Sequence, residues 1–289
     1  MIKLLGIDLD GTLLDSRGAL SEANREAIRL AEQAGVLVTI CTGRRFRDAR
    51  PIALGLELNA PMVSHNGALI KYASTLETFD VSILDKSTVQ QVLEVARSSK
   101  ADALLSADPD GKGVLYYEKV SKRHTPLIKY IAWAKRLHGE EAEDAIHCVN
   151  SFDEVIDRIE TVHISFSGTC AQMRELQHIL QSEVSAEINI LTTVYPHLDF
   201  TLIDVLPPSA SKGYGLERIA NAFGFQKSEI MAIGDNLNDL QMLEFAGVPV
   251  VMANASPELL EDERYHKTLS NNENGVALAI EKFILNNNR

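Results

Sequence analysis

Ile7-Asp8-Leu9-Asp10-Gly11-Thr12, continued by Leu13-Leu14-Asp15, closes the first apolar run of the chain. The run Lys3–Asp8 reads as a buried strand, and it delivers two carboxylates to its tip. Side chains alternate along a strand, so Asp8 and Asp10 share a side if the strand continues; Gly11 marks where it stops. Like charges held this close raise each other's pKa unless a cation or a reaction compensates. The pattern points to a divalent-metal site, an acid/base site, or both.

Outward from this strand, helix and strand signals alternate. Ser21 is an N-cap candidate, and Ala23, Ala27, Ile28, Ala31 and Ala34 form one apolar helical face that ends at Gly35. Val36–Cys41 is a second strand, a helix interrupted by Pro51 follows from about Arg45, and Pro61–Ser64 is a third strand. The end of the chain repeats the pattern: helix Lys212–Phe223, strand Ile230–Gly234, helix Asn238–Ala246, strand Val248–Met252, and a helix capped by Ser256 with Pro257 at its first position. This order implies an α/β fold, a doubly wound, mainly parallel, Rossmann-like sheet with helices on both faces.

The middle differs. Strands at Gly113–Lys119, Thr161–Ser167, Glu187–Val194 and Asp199–Val205, with longer helices at Ser87–Ser99 and Ala171–Ser182, read as an α+β domain with an antiparallel sheet. The expected division is therefore a core of residues 1–83 and 205–289 and an inserted domain of residues 84–204.

The 289 residues carry 28 Lys and Arg against 40 Asp and Glu, a net charge of −12, which argues against a nucleic-acid or anionic membrane surface but not against a small anionic ligand in a local positive pocket. Cys41, Cys148 and Cys170 fit neither a disulfide framework nor a zinc site. No apolar stretch reaches the length of a membrane span, and the opening run, broken by Asp8 and Asp10, does not read as a leader. The expected setting is the cytoplasm, for a monomer or small homo-oligomer.

Four segments place unusual polar residues at strand ends or helix starts: Asp8-Leu9-Asp10-Gly11-Thr12, Thr42-Gly43-Arg44, Ser211-Lys212-Gly213, and Gly234-Asp235-Asn236-Leu237-Asn238-Asp239. Ligands of a doubly wound sheet bind beyond the carboxyl ends of its strands, where three of the four lie. Asp8 and Asp235 on neighbouring strands leave room for a cation, and Mg²⁺ favours such oxygens together with water and phosphate. Thr42 and Gly43 offer a hydroxyl and a backbone N–H to an anion. Lys212 opens a helix, where the dipole disfavours a cation, so it needs a partner or a task.

These segments, in this order and with this insertion, resemble the haloacid dehalogenase-like hydrolase superfamily, and within it the Cof-type (class IIB) sugar-phosphatase-like branch with an α/β cap. Asn66-Gly67-Ala68 before the insertion and Glu229-Ile230-Met231-Ala232-Ile233-Gly234-Asp235 belong to the likeness. The resemblance implies a Mg²⁺-dependent phosphatase of small phosphorylated metabolites, sugar phosphates first. It implies Asp8 as the nucleophile that becomes an aspartyl-phosphate, and Asp10 as general acid/base. Leu9, Thr42, Gly43, Lys212 and Asn238 would bind phosphate. Asp8, the backbone carbonyl of Asp10, and Asp235 would hold the metal, with Asp239 and Asn66 as supports behind them. An acid at Asp10 separates this branch from dehalogenases, which need no proton for halide. Pro207 and Pro208 before Lys212 depart from the family pattern, which often has a glycine there. A phosphomutase and a non-catalytic binding protein on the same scaffold are the rival readings. Arg44 and Arg45 read as ion-pair or solvent residues, and His65 as structural.

Overall fold

The computed structural model describes residues 1–118, 120 and 124–286. It divides into two compact units, Met1–Asp80 with Ser211–Arg289, and Val81–Ala210.

The first unit begins with β1 (Leu4–Asp8), α1 (Glu22–Gln33), β2 (Leu37–Cys41), α2 (Phe46–Gly55), β3 (Met62–Ser64), β4 (Leu69–Lys71) and β5 (Thr78–Val81). Every residue of β1 is buried, as expected of a parallel strand covered on both faces. Ser21 caps α1, its hydroxyl accepting from the Asn24 N–H. Pro51 does not interrupt α2 as the sequence reading expected. It stands in the second turn, where the lost N–H would have met the Arg47 carbonyl, and the helix runs through it.

The second unit contains α3 (Lys86–Ser98), β6 (Ala103–Ala107), β7 (Val114–Tyr117), α4 (Thr125–His138), α5 (Ala142–Ala145), β8 (Ile146–Cys148), β9 (Thr161–Gly168), α6 (Cys170–Glu183), β10 (Asn189–Tyr195) and β11 (Phe200–Leu206). Its six strands run in the order β10-β11-β9-β6-β7-β8, antiparallel except for the parallel pair β7–β8. Lys119, where β7 was expected to end, lies outside the described residues. Successive residues Leu104 and Leu105 face opposite ways. Leu105, Ile164, Phe166, Ile203 and Val205 pack beneath α3 and α6, while Leu104, Leu115 and Ile146 meet Leu127, Ile131 and Ala134 of α4. The unit extends past the expected boundary of 204 because β11 stays in register with β10 to the pair Leu206–Asn189, and the turn at Pro207–Ala210 follows.

The first unit resumes with α7 (Lys212–Ala222), β12 (Ile230–Gly234), α8 (Leu240–Phe245), β13 (Val248–Val251), α9 (Pro257–Glu261), β14 (His266–Lys267) and α10 (Gly275–Ile280). The expected cap at α9 is absent: the Ser256 hydroxyl accepts no backbone N–H. The eight-stranded sheet runs β14-β13-β12-β1-β2-β3-β4-β5. Pairs from β14 to β3 are parallel and β3–β4 is antiparallel. The chain leaves β1 toward β2 on one side and returns to β12 on the other, so strand order reverses at β1–β12. Ile7 lies opposite Ile233, and Asp8 and Asp235 therefore emerge side by side from the carboxyl edge.

Candidate active site

Asp8 ends β1 and is 4% exposed. Its Oδ1 accepts from Lys212 Nζ at 2.6 Å, and the same ammonium donates to Asp239 Oδ1 at 2.6 Å. Lys212 is 1% exposed. Ser211 starts α7 by accepting the Tyr214 N–H on its hydroxyl at 2.9 Å, which turns the first helical residue toward the sheet edge. Pro207 and Pro208 stand in a turn closed by the Ala210 N–H and the Pro207 carbonyl, and Lys212 meets Asp8 despite them.

Asp239 is fully buried. Its second oxygen accepts the backbone N–H groups of Asp235 and Asn236 at 2.9 and 3.0 Å. It thus shapes the turn after β12 while holding Lys212. Asp235 takes a hydrogen bond from the Thr12 hydroxyl at 2.7 Å. Oxygens of Asp8, Asp235 and Asp239 lie within 4.8 Å of one another, the one such cluster among the described residues.

Burial raises the Asp8 carboxyl well above the usual carboxylate range, with Asp239 adding to the effect and Lys212 opposing it. Burial and then the Asp239 charge push Asp235 up to about 6, against the Thr12 hydrogen bond. For Lys212, burial works against the ammonium, but Asp239 and Asp8 outweigh it and hold the group charged above the usual lysine value. Three carboxylates face one ammonium, an excess of negative charge that a bound cation would offset. The donor set, oxygen atoms only and close together, suits a small hard cation such as Mg²⁺.

The turn after β1 is tied back on itself. The Asp8 and Leu9 carbonyls accept the Leu13 and Leu14 N–H groups, and the Leu9 side chain is fully buried. Gly11 has φ +86°, and a Cβ there would stand 2.4 Å from Asp235 Oδ2. Only glycine lets this backbone approach the second carboxylate so closely.

The Asp10 carboxylate does not join the cluster. It is gripped by Arg44, whose Nε and Nη2 donate to its two oxygens at 2.8 and 2.5 Å. Arg44 is thus an ion-pair residue, as is Arg45, which forms a buried pair with Asp48 at 2.8 Å.

Thr42 is buried and its hydroxyl accepts the Arg44 N–H at 3.1 Å. A Cβ on Gly43 would lie 3.0 Å from Asn66 Oδ1, the same oxygen that accepts from Asn238 Nδ2 at 3.3 Å. The Asn66 N–H donates to the Thr42 carbonyl at 3.0 Å, so Asn66 joins the segment after β2 to the segment after β12. It adopts φ 50°, and Gly67 (φ +95°) sits where a Cβ would fall 1.9 Å from the Ser211 carbonyl, against the start of α7. His65 accepts the Phe46 N–H on Nε2 at 3.1 Å, a structural use of the ring. Thr12 was not singled out from sequence; its place directly after Asp-x-Asp-Gly is the only local sign of it.

Residues 5–280 match the family model described as haloacid dehalogenase-like hydrolase. The chain is 30% identical to the 5-amino-6-(5-phospho-D-ribitylamino)uracil phosphatase YwtE of Bacillus subtilis, over 98% of each chain. A haloacid dehalogenase-like hydrolase from Bacteroides thetaiotaomicron has a similar solved structure, with a TM-score of 0.80 at 27% identity over 98% of this chain and 100% of the other. A structure described as a subclass IIB sugar phosphatase shares the fold, with a TM-score of 0.78 at 22% identity over 97% and 98%. With Asp8, Lys212 and Asp235 gathered at one sheet edge, the chain belongs to the haloacid dehalogenase-like hydrolase family and is a phosphatase.

Proposed function

We propose that this enzyme is a cytoplasmic, Mg²⁺-dependent phosphatase that hydrolyses phosphate monoesters of small polyhydroxylated metabolites through an aspartyl-phosphate on Asp8. The observation that carries the reading is the buried Asp8–Lys212 pair beside Asp235. A carboxylate so placed is positioned by Lys212 for attack, and a phosphate arriving there meets the same ammonium.

Asp8 attacks phosphorus, and the bond from phosphorus to the ester oxygen breaks. Asp10 donates a proton to that oxygen, then takes one from the water that releases phosphate from Asp8. Lys212 offsets the repulsion between the anionic nucleophile and the anionic phosphate, and catalysis of phosphoryl transfer rests on positioning and charge stabilisation of this kind. Thr42, Gly43, Asn238 and the Leu9 backbone would cradle the phosphate, with Asn66 and Asp239 holding those groups in place. Asp8, Asp235 and the Asp10 carbonyl would hold Mg²⁺, which when bound supplies further charge neutralisation.

The inserted unit is assigned the choice of substrate. Support for a polyhydroxylated leaving group comes from the resemblance to sugar phosphatases and from the relative named for a phosphorylated ribityl compound. Phosphate release from 4-nitrophenyl phosphate and a panel of sugar, polyol and nucleoside phosphates, with Mg²⁺ and with EDTA, tests the reading. Mg²⁺-dependent release that vanishes in Asp8→Asn is the expected result; retained turnover in that variant would refute the covalent route.

A further inference from the structure

We propose that Arg44 is a positioning residue for Asp10, holding its carboxylate as the base that activates water in the second half of the reaction. This rests on the acid/base reading of Asp10 given above.

The contact is a two-pronged one. Nε and Nη2 of one planar guanidinium reach the two oxygens of one carboxylate at 2.8 and 2.5 Å. Such a fork fixes both the distance and the plane of the carboxylate, which a point charge does not. Asp10 needs this help. Its side chain is 55% exposed, on a turn just beyond the strand end, whereas the Arg44 side chain is 24% exposed.

Arg44 is itself anchored. Its N–H donates to the Thr42 hydroxyl at 3.1 Å, and its carbonyl accepts the His65 N–H at 2.9 Å. Thr42 is in turn tied to β3 by its N–H on the Val63 carbonyl at 2.9 Å. The fixed partner therefore orients the loose one.

The fork presents the carboxylate in one fixed orientation from which an oxygen can accept a proton from water. As a water oxygen attacks phosphorus, Asp10 accepts one of the water's protons. The bond between phosphorus and Asp8 breaks with its electron pair returning to Asp8, and inorganic phosphate leaves. Asp10, now protonated, gives that proton to the ester oxygen of the next substrate. Removing Arg44 should therefore slow the release of phosphate from Asp8 more than its capture.

Pre-steady-state and steady-state kinetics of Arg44→Met with 4-nitrophenyl phosphate separate the two halves, since nitrophenolate needs no proton to leave. The expected result is a burst of about one nitrophenolate per site followed by a slowed steady phase. In that phase kcat and KM fall by the same factor and kcat/KM is unchanged. A merely structural role would lower kcat/KM and give no new burst, and that outcome overturns the proposal, as does wild-type behaviour. Arg44→Lys keeps the cation without the fork and should fall between wild type and Arg44→Met. If Arg44→Met does not fold, an Arg44→Lys enzyme equal to wild type overturns the proposal alone. Asp10→Asn is run alongside. If its slow phase equals that of wild type, the acid/base reading and the Arg44 proposal are overturned together. If it shows the slowed phase and Arg44→Met does not, only the role of Arg44 is lost.

Discussion

Lys212 Nζ stands 2.6 Å from Asp8 Oδ1, and both side chains are almost wholly removed from water. The ammonium is shared with Asp239, which is fully buried. Among the described residues, Lys212 is the cation that pairs with this buried carboxylate cluster, and the consequences can be measured.

Lys212→Met should leave Asp8 and Asp239 as buried charges without their partner. Breaking a buried pair from one side costs about 3–5 kcal/mol. The expected result is a fall of that order in denaturant-derived stability, together with loss of phosphatase activity. Unchanged stability would mean that water or a neighbouring group replaces the ammonium.

Asp10→Asn should keep the fold, because the side chain is half exposed. Loss of general acid/base catalysis typically costs about 10²–10⁴-fold. With sugar or other alkyl phosphates kcat/KM should fall on that scale, since an alkoxide leaves poorly without a proton. With 4-nitrophenyl phosphate kcat/KM should fall far less. Equal losses on both substrates would remove Asp10 from the proton transfer.

Stability should depend on pH and Mg²⁺ together. The Asp235 carboxyl is raised from 3.8 to about 6 by burial and by Asp239. A raised carboxyl pKa means that the folded state binds the proton more tightly. The associated stability is full below the unfolded value and is lost as pH rises through about 6. Added Mg²⁺ competes with that proton and removes the repulsion. Thermal melts should show a larger Mg²⁺-induced rise in Tm near neutrality than at about pH 5. A rise that grows toward acid pH would contradict carboxylate ligation.

Gly11→Ala tests the turn that brings the first segment against Asp235. With φ +86° and a Cβ only 2.4 Å from Asp235 Oδ2, the added methyl is both strained and obstructed. The loss of stability should exceed about 1 kcal/mol. Mg²⁺ affinity, read by titration calorimetry, should weaken because Asp235 must move. An unaffected metal affinity would show that the displaced carboxylate is not a ligand.

Much of the first unit could be read in advance because its signals are local. Fully apolar runs such as Ile230–Gly234, with turn residues directly after them, mark parallel strands and their carboxyl ends. Ser21 and Gly35 bracket α1 for reasons confined to a few residues. Pro51 misled because the penalty of a proline depends on what the preceding turn can tolerate. Ser256 misled because a capping residue type does not ensure a capping hydrogen bond.

Sequence alone determined the alternation of strand and helix from β1 to β3 and from α7 to β13, the strand tips that carry Asp8 and Asp235, and the anomaly of a lysine opening α7. These follow from hydrophobic spacing, turn chemistry and the helix dipole, all acting over short stretches of chain. Tertiary structure decided which polar group meets which. Thr12 selects Asp235 across 223 positions, Arg44 selects Asp10 across 34, and Lys212 divides itself between Asp8 and Asp239. Such choices depend on strand order and register, which place distant strand tips together, and on burial, which makes an unpartnered charge too costly to leave.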